Sequence, residues 1–112
     1  MWHVVDNSDR MGRYLVKFKV NWGAFPADQP EKIKVLGLIH SKTKEAMEKG
    51  TLKDWGISLD LTHGYAIWNA EAEQMAKIAV LRMPYLEPIE LVELLDLDKF
   101  AAISNEITKV KK

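Results

Sequence analysis

The sequence predicts an α+β domain with a four-stranded antiparallel sheet and two helices on one of its faces. Three observations predict it. Tyr14, Val16, Phe18, Val20 and Trp22 alternate with Leu15, Lys17, Lys19 and Asn21 at the period of a strand. Trp55, Ile57, Leu59 and Leu61 alternate with Asp54, Gly56, Ser58 and Asp60 in the same way, and Tyr65 and Ile67 open a further run after Thr62-His63-Gly64. Two stretches of helical period, each with its own start signals, alternate with these strands.

Residues 13–95 are expected to form the core of a single domain, with an extension over residues 1–12 and a C-terminal helix and tail over residues 96–112. The first strand runs from Arg13 to Trp22. Pro26 closes the loop after it, and Asp28 with Glu31 three residues on makes a capping box around Pro30. The helix that starts there carries a stripe of Ile33, Val35, Leu36, Ile39, His40, Thr43, Ala46 and Met47, and Gly50 ends it.

The next stretch, residues 52–69, reads as a β-hairpin. A two-residue turn at His63-Gly64 would set Leu61 opposite Ala66 and Leu59 opposite Trp68, splitting the apolar set between faces. A three-residue loop with a left-handed Gly64 sets Leu61 opposite Tyr65 and Leu59 opposite Ile67, so that all six large side chains share one face. The second register is the expectation. Asn69 then caps a second helix with Glu71 and Glu73 in its first turn and a stripe of Ala72, Met75, Ala76, Ala79 and Met83. Pro84 stops it. The run from Ile89 to Leu95 is a fourth strand, and Phe100, Ile103 and Ile107 behind Asp98 predict a short terminal helix packed on the body. The order is β, α, β, β, α, β, the split βαβ or ferredoxin-like sandwich.

Composition narrows the function. Sixteen basic and sixteen acidic residues give a net charge of zero, so no global field draws in nucleic acid or an anionic membrane. Cysteine is absent, which removes disulfides, thiol catalysis and thiolate metal sites. No segment approaches about 18 uninterrupted apolar residues. The expected location is the cytoplasm, and the expected partner is the protein itself.

That last expectation comes from the sheet. Two helices cover one face, which the hairpin register fills with the aromatic and aliphatic residues of the first three strands. The other face then carries Leu15, Lys17, Lys19, Ser58, Asp60, Ala66, Trp68, Glu90, Val92 and Leu94. A surface this apolar calls for another sheet against it, so Leu15, Lys17, Trp68, Glu90, Val92 and Leu94 are the candidate homodimer interface.

Gly64-Tyr65-Ala66-Ile67 after the hairpin loop, the acidic start of the second helix, and Pro84-Tyr85-Leu86 leading into Ile89-Glu90-Leu91-Val92-Glu93-Leu94 carry a resemblance to the dimeric α+β barrel superfamily, and within it to the muconolactone isomerase-like proteins. The resemblance spans residues 14–95. It implies ferredoxin-like subunits whose sheets face each other to enclose a barrel, with ligands often bound between helix and sheet.

Candidates for chemistry are few. His40, at the margin of the first helix's stripe, is a candidate general base or a hydrogen-bonded boundary residue. Lys19 and Asp60, with Lys17 and Glu90, either converge inside the barrel for proton handling or form cross-strand ion pairs. Tyr14, Phe18, Trp55, Tyr65 and Met75 line a ligand cavity or pack as core. The three histidines lack metal-ligand spacing, and no phosphate loop, dinucleotide fingerprint or nucleophile elbow is present, so no metal and no cofactor are expected. Two functions follow. One is a homodimer binding a small organic ligand, such as a small organic acid, in a cleft between helices and sheet. The other is a cofactor-independent isomerase or monooxygenase on a small aromatic or lactone acid.

Overall fold

The computed structural model describes residues 11–110. The extension over residues 1–10 and the side chains of the basic tail 109–112 lie outside the described residues. The elements are β1 (Met11–Val20), a short 3₁₀ turn (Trp22–Ala24), α1 (Gln29–Lys49), β2 (Leu52–Ile57), β3 (His63–Glu71), α2 (Ala72–Arg82), β4 (Leu86–Leu94) and α3 (Leu97–Val110). Met11 and Gly12, expected in the extension, belong to β1. Trp22, expected at the end of that strand, stands in the turn beyond it.

The sheet has the order β2-β3-β1-β4, and every neighbouring pair is antiparallel. It follows that β1 and β2 are parallel with β3 between them, and β3 and β4 parallel with β1 between them. Each helix therefore crosses over one strand that the other βαβ unit supplies. Both helices lie on the same face. Tyr14, Val16, Phe18 and Val20 of β1 are buried there with Leu52, Ala66, Trp68, Ala70 and Leu86, against Met75 and Ile78 of α2 and Val35, Ile39 and Ala46 of α1.

The hairpin corrects the expected register. Trp55 pairs with Ala66, Gly56 with Tyr65 and Ile57 with Gly64, and beyond an irregularity Leu52 pairs with Trp68. Ala66 and Trp68 thus lie beneath the helices, while Tyr65 and Ile67 point to the reverse face. The alternation through Leu59 and Leu61 misleads because these residues are in the loop, where Leu59 is fully exposed and Leu61 takes a positive φ of 62°. Polar bonding builds that loop. The Asp60 Oδ1 accepts from Ser58 Oγ at 2.6 Å, from Thr62 Oγ1 at 2.7 Å and from the Thr62 amide at 3.2 Å, and Ser58 Oγ accepts from the His63 amide at 3.1 Å. Gly64 is an ordinary strand residue, not a left-handed one.

The first helix starts and stops as its caps require. The Asp28 side chain accepts from the Glu31 amide at 3.2 Å, and Gly50 adopts φ 81° at the C-terminus. Its buried stripe is narrower than the sequence suggests, with Thr43 buried, Val35, Ile39 and Ala46 half-buried, and Ile33, Leu36, His40 and Met47 exposed. In α2 the sheet-facing residues are Met75, Ile78, Ala79 and Arg82, while Ala72, Ala76 and Met83 are exposed. Burying Ile78 removes more apolar area than burying an alanine, which favours this roll of the helix. Asn69 stays in β3 opposite Arg13, and Glu71 occupies the N-cap position.

The terminal helix forms in the expected stretch, but its apolar stripe is not packed on the body. Asp96 caps it, its Oδ1 accepting from the Lys99 amide at 2.8 Å. Leu97, Phe100, Ile103 and Ile107 remain between 44% and 78% exposed, so the apolar stripe has no cover among the described residues.

Two glycines test the packing. A Cβ on Gly64 would come within 2.5 Å of the Gly56 carbonyl oxygen and closer still to the Phe18 ring, whereas one on Gly37 in α1 meets nothing within 4 Å. Gly64→Ala is expected to cost about 1–3 kcal/mol in chemical denaturation as an overpacked site. Gly37→Ala is expected to stabilise by about 0.5–1 kcal/mol as a helix-interior glycine.

Candidate ligand-binding clefts

Because α1 touches the sheet along so thin a stripe, space opens on both of its flanks. On one side, a cleft of about 490 Å³ lies between α1 and β2. Leu36, His40 and Met47 form its helix wall, and Trp55, Ile57 and Leu86 its sheet wall. Trp22 and Leu61 close one end, joined by a hydrogen bond in which Trp22 Nε1 donates to the Leu61 carbonyl at 2.9 Å. Phe25 packs at a tilt between Trp22 at 4.7 Å and Tyr85 at 5.0 Å between ring centroids, which fixes the orientation of this aromatic end. The cleft is apolar apart from His40, Thr43 and Lys44.

On the other side, a groove of about 500 Å³ runs between α1 and α2. Val35, Leu38 and Ala46 face Ile78, Leu81 and Tyr85 across it, and Trp68 lies at its floor. Arg82 reaches over that floor from the last turn of α2. Its guanidinium carbon is 5.7 Å from the Trp68 ring centroid, and Nη1 donates to Thr43 Oγ1 at 3.0 Å. Burial pushes the guanidinium pKa down from its ordinary value. Beneath Arg82 a small recess of about 40 Å³ continues among Phe18, Trp55 and Met75.

The sequence-derived site residues scatter over this geometry. Tyr14, Phe18 and Met75 are core residues, with Phe18 and Met75 touching the inner recess. Trp55 borders both the recess and the first cleft, and stacks on Phe18 at 6.0 Å. Tyr65 is on the reverse face instead, lying over Gly56 and donating to Asp54 Oδ2 at 2.9 Å, a bond that raises the pKa of its hydroxyl. His40 is exposed on the wall of the first cleft. Lys19 is on the reverse face, paired in register with His63 and Glu87. Asp60 is engaged within its loop. The structure puts His40 and Lys19 on opposite sides of the sheet.

Of the interface candidates, Leu15, Lys17, Glu90, Val92 and Leu94 share the reverse face, joined there by Tyr65 and Ile67. Trp68 does not belong with them, because the corrected register turns it under the helices. Lys17 Nζ meets Glu90 Oε1 at 3.3 Å, a cross-strand pair more than half exposed on both sides and so of small energetic weight. Arg82 and Thr43 were not singled out for a site by sequence reasoning. The signal was there, since Arg82 continues Met75, Ile78 and Ala79 at helical spacing. Among the described residues no group of three His, Asp or Glu side chains is placed to hold a metal ion, and no helix is long and apolar enough to cross a membrane.

The Asp60 loop makes a pH prediction. Hydrogen bonds from Ser58 and Thr62 hold its carboxyl at about 2, against an ordinary 3.8. A depressed folded-state pKa contributes stability above pH 3.8 and loses it as pH falls through about 2. NMR titration of the Asp60 carboxyl is expected to give a midpoint near 2, and Asp60→Asn is expected to flatten the fall in stability between pH 4 and pH 2.

With this geometry in place, comparison with known proteins adds no relative: no protein-family model, no curated protein and no solved structure matches the chain.

Proposed function

We propose that the chain is one subunit of a homodimer of ferredoxin-like α+β subunits, of the dimeric α+β barrel type, that binds a small organic molecule in the clefts between its helices and its sheet. The observation that carries the binding reading is the open flank on each side of α1. Each cleft has a volume of about 500 Å³ and mostly apolar walls with a few polar groups, which is the usual make-up of a small-molecule site. A helix packed only for stability would bury Leu36, Leu38 and Met47 rather than leave them 39%, 58% and 46% exposed.

Self-association is supported by two uncovered apolar surfaces. The reverse face presents Leu15, Tyr65, Ile67 and Val92 around the Lys17–Glu90 pair, and α3 presents Leu97, Phe100, Ile103 and Ile107. A second copy offers both surfaces a partner through one two-fold axis. Binding is preferred to the isomerase or monooxygenase reading because His40, Lys19 and Asp60 are on the helix side, on the reverse face and in a self-satisfied loop, respectively.

Light scattering is expected to give a mass of twice 12.8 kDa, and Leu15→Glu with Val92→Glu is expected to give a monomer. A wild-type monomer would remove the dimer. Thermal-shift screening against small organic acids and their neutral analogues tests the binding. A ligand at 100 times its Kd adds about 2.7 kcal/mol. For a domain of this size that raises Tm by about 10 °C or more. Flat melting temperatures across the screen would remove the binding reading.

A further inference from the structure

Arg82 faces the sheet, in the stripe that Met75, Ile78 and Ala79 begin. Its planar guanidinium has five N–H donors, of which the structure gives one a side-chain acceptor, the hydroxyl of Thr43 at 3.0 Å. Among the described residues no carboxylate lies within ion-pair distance of it. The side chain is half-buried. A cation drawn partly out of water without a counter-charge is unfavourable, and contact with the Trp68 ring offsets only part of that.

Two structural accounts of an arginine here fall short of its position. The negative end of the α2 dipole favours a cation in the last turn, but a lysine directed to solvent would meet that need. The aliphatic stem covers apolar surface, but a stem used for cover alone leaves its head in water. Here the head turns inward, toward Thr43 on the facing helix. The hydroxyl holds the fork in one plane and leaves its remaining donors for a planar two-oxygen acceptor.

The surrounding charge agrees. Lys42, Glu45 and Lys49 line the groove, and Glu45 is taken up by Lys49, whose Nζ is 3.0 Å from its Oε1. Lys42 also acts on Glu45, helping Lys49 to lower its carboxyl pKa, so the groove's lining carries three cations, Lys42, Lys49 and Arg82, against one carboxylate, with Arg82 on the wall away from it. The C-terminal end of α2 beside Arg82 disfavours an anion in proportion to its charge, so of the two a monoanionic carboxylate is opposed less than a doubly charged phosphate. Opposite the cations, Val35, Leu38, Ile78 and Leu81 offer apolar walls to the rest of a ligand.

We propose that Arg82 is the anion-reading group of the groove between α1 and α2, held in orientation by Thr43, and that the ligand is a small organic acid with its carboxylate on a flat apolar body. This rests on the reading that the helix–sheet clefts bind a small molecule, and it assigns the groove, the class of ligand and the residue that selects it.

The test is NMR titration of the full chain with benzoate and phenylacetate beside their neutral isosteres benzamide and phenylacetamide. The acids are expected to bind at least tenfold more tightly than the amides, with the shifts centred on the Trp68 indole and the Ile78 methyls. Arg82→Gln is expected to abolish the preference of acid over amide, and Arg82→Lys to retain part of it. Should Arg82→Gln fail to fold, Thr43→Val, which keeps the charge but frees the fork, is expected to cut the preference several-fold. Equal binding of acids and amides, shifts centred on His40 in the other cleft, or an acid preference that survives Arg82→Gln would overturn the role of Arg82 and leave the cleft reading standing. No binding of any of the four compounds would overturn both.

Discussion

β1 sits in the middle of the sheet with a partner on each side, and its side chains alternate between two environments that cannot be exchanged. Tyr14, Val16, Phe18 and Val20 are buried beneath the helices, while Arg13, Leu15, Lys17 and Lys19 point the other way. A slip of one residue would send Lys17 and Lys19 into the core and four large apolar groups into water. With β1 fixed, β3 and β4 follow by antiparallel pairing and the helices have one face to cover. Among the described residues two helices cover it and no layer lies over the opposite face.

The quality of that single cover decides what the molecule has to offer. α1 rests on Val35, Ile39, Thr43 and Ala46, and α2 on Met75, Ile78, Ala79 and Arg82. The two helices are bridged over Trp68 by a hydrogen bond between Arg82 and Thr43. A tighter layer would place leucine or phenylalanine in that bridge and close the groove. A charged fork and a hydroxyl there keep it open and polar at one point, at the cost of desolvating a cation. Stability is ceded where a ligand would sit.

Much of this was legible in the residues. β1 announces itself by alternation, and α1 by Asp28, Pro30 and Gly50, because caps and strand periods are local and need no tertiary knowledge. Leu15, Lys17, Glu90, Val92 and Leu94 share a face for the same reason. The hairpin was misread because Leu59 and Leu61 prolong the apolar alternation past the true end of β2, while the deciding signal lay in the hydroxyls and carboxylate of Ser58, Asp60 and Thr62. That single misreading moved Trp68 to the wrong side and Tyr65 with it. Arg82 was missed because a charged residue in a buried stripe reads as a break in the pattern. The exposed stripe of α3 was read as core packing, since period alone says that a face is apolar and not what covers it.

The face occupied by Trp68 is the point on which the rest turns, because it sets the hairpin register, the floor of the groove and the composition of the reverse side. Side-chain NOE contacts of the Trp68 indole measure it directly. The account predicts contacts to Met75 and Ile78 of α2, together with backbone contacts between Trp55 and Ala66. Contacts from Trp68 to Leu15 and Val92 instead, with Leu59 opposite Ile67, would contradict it.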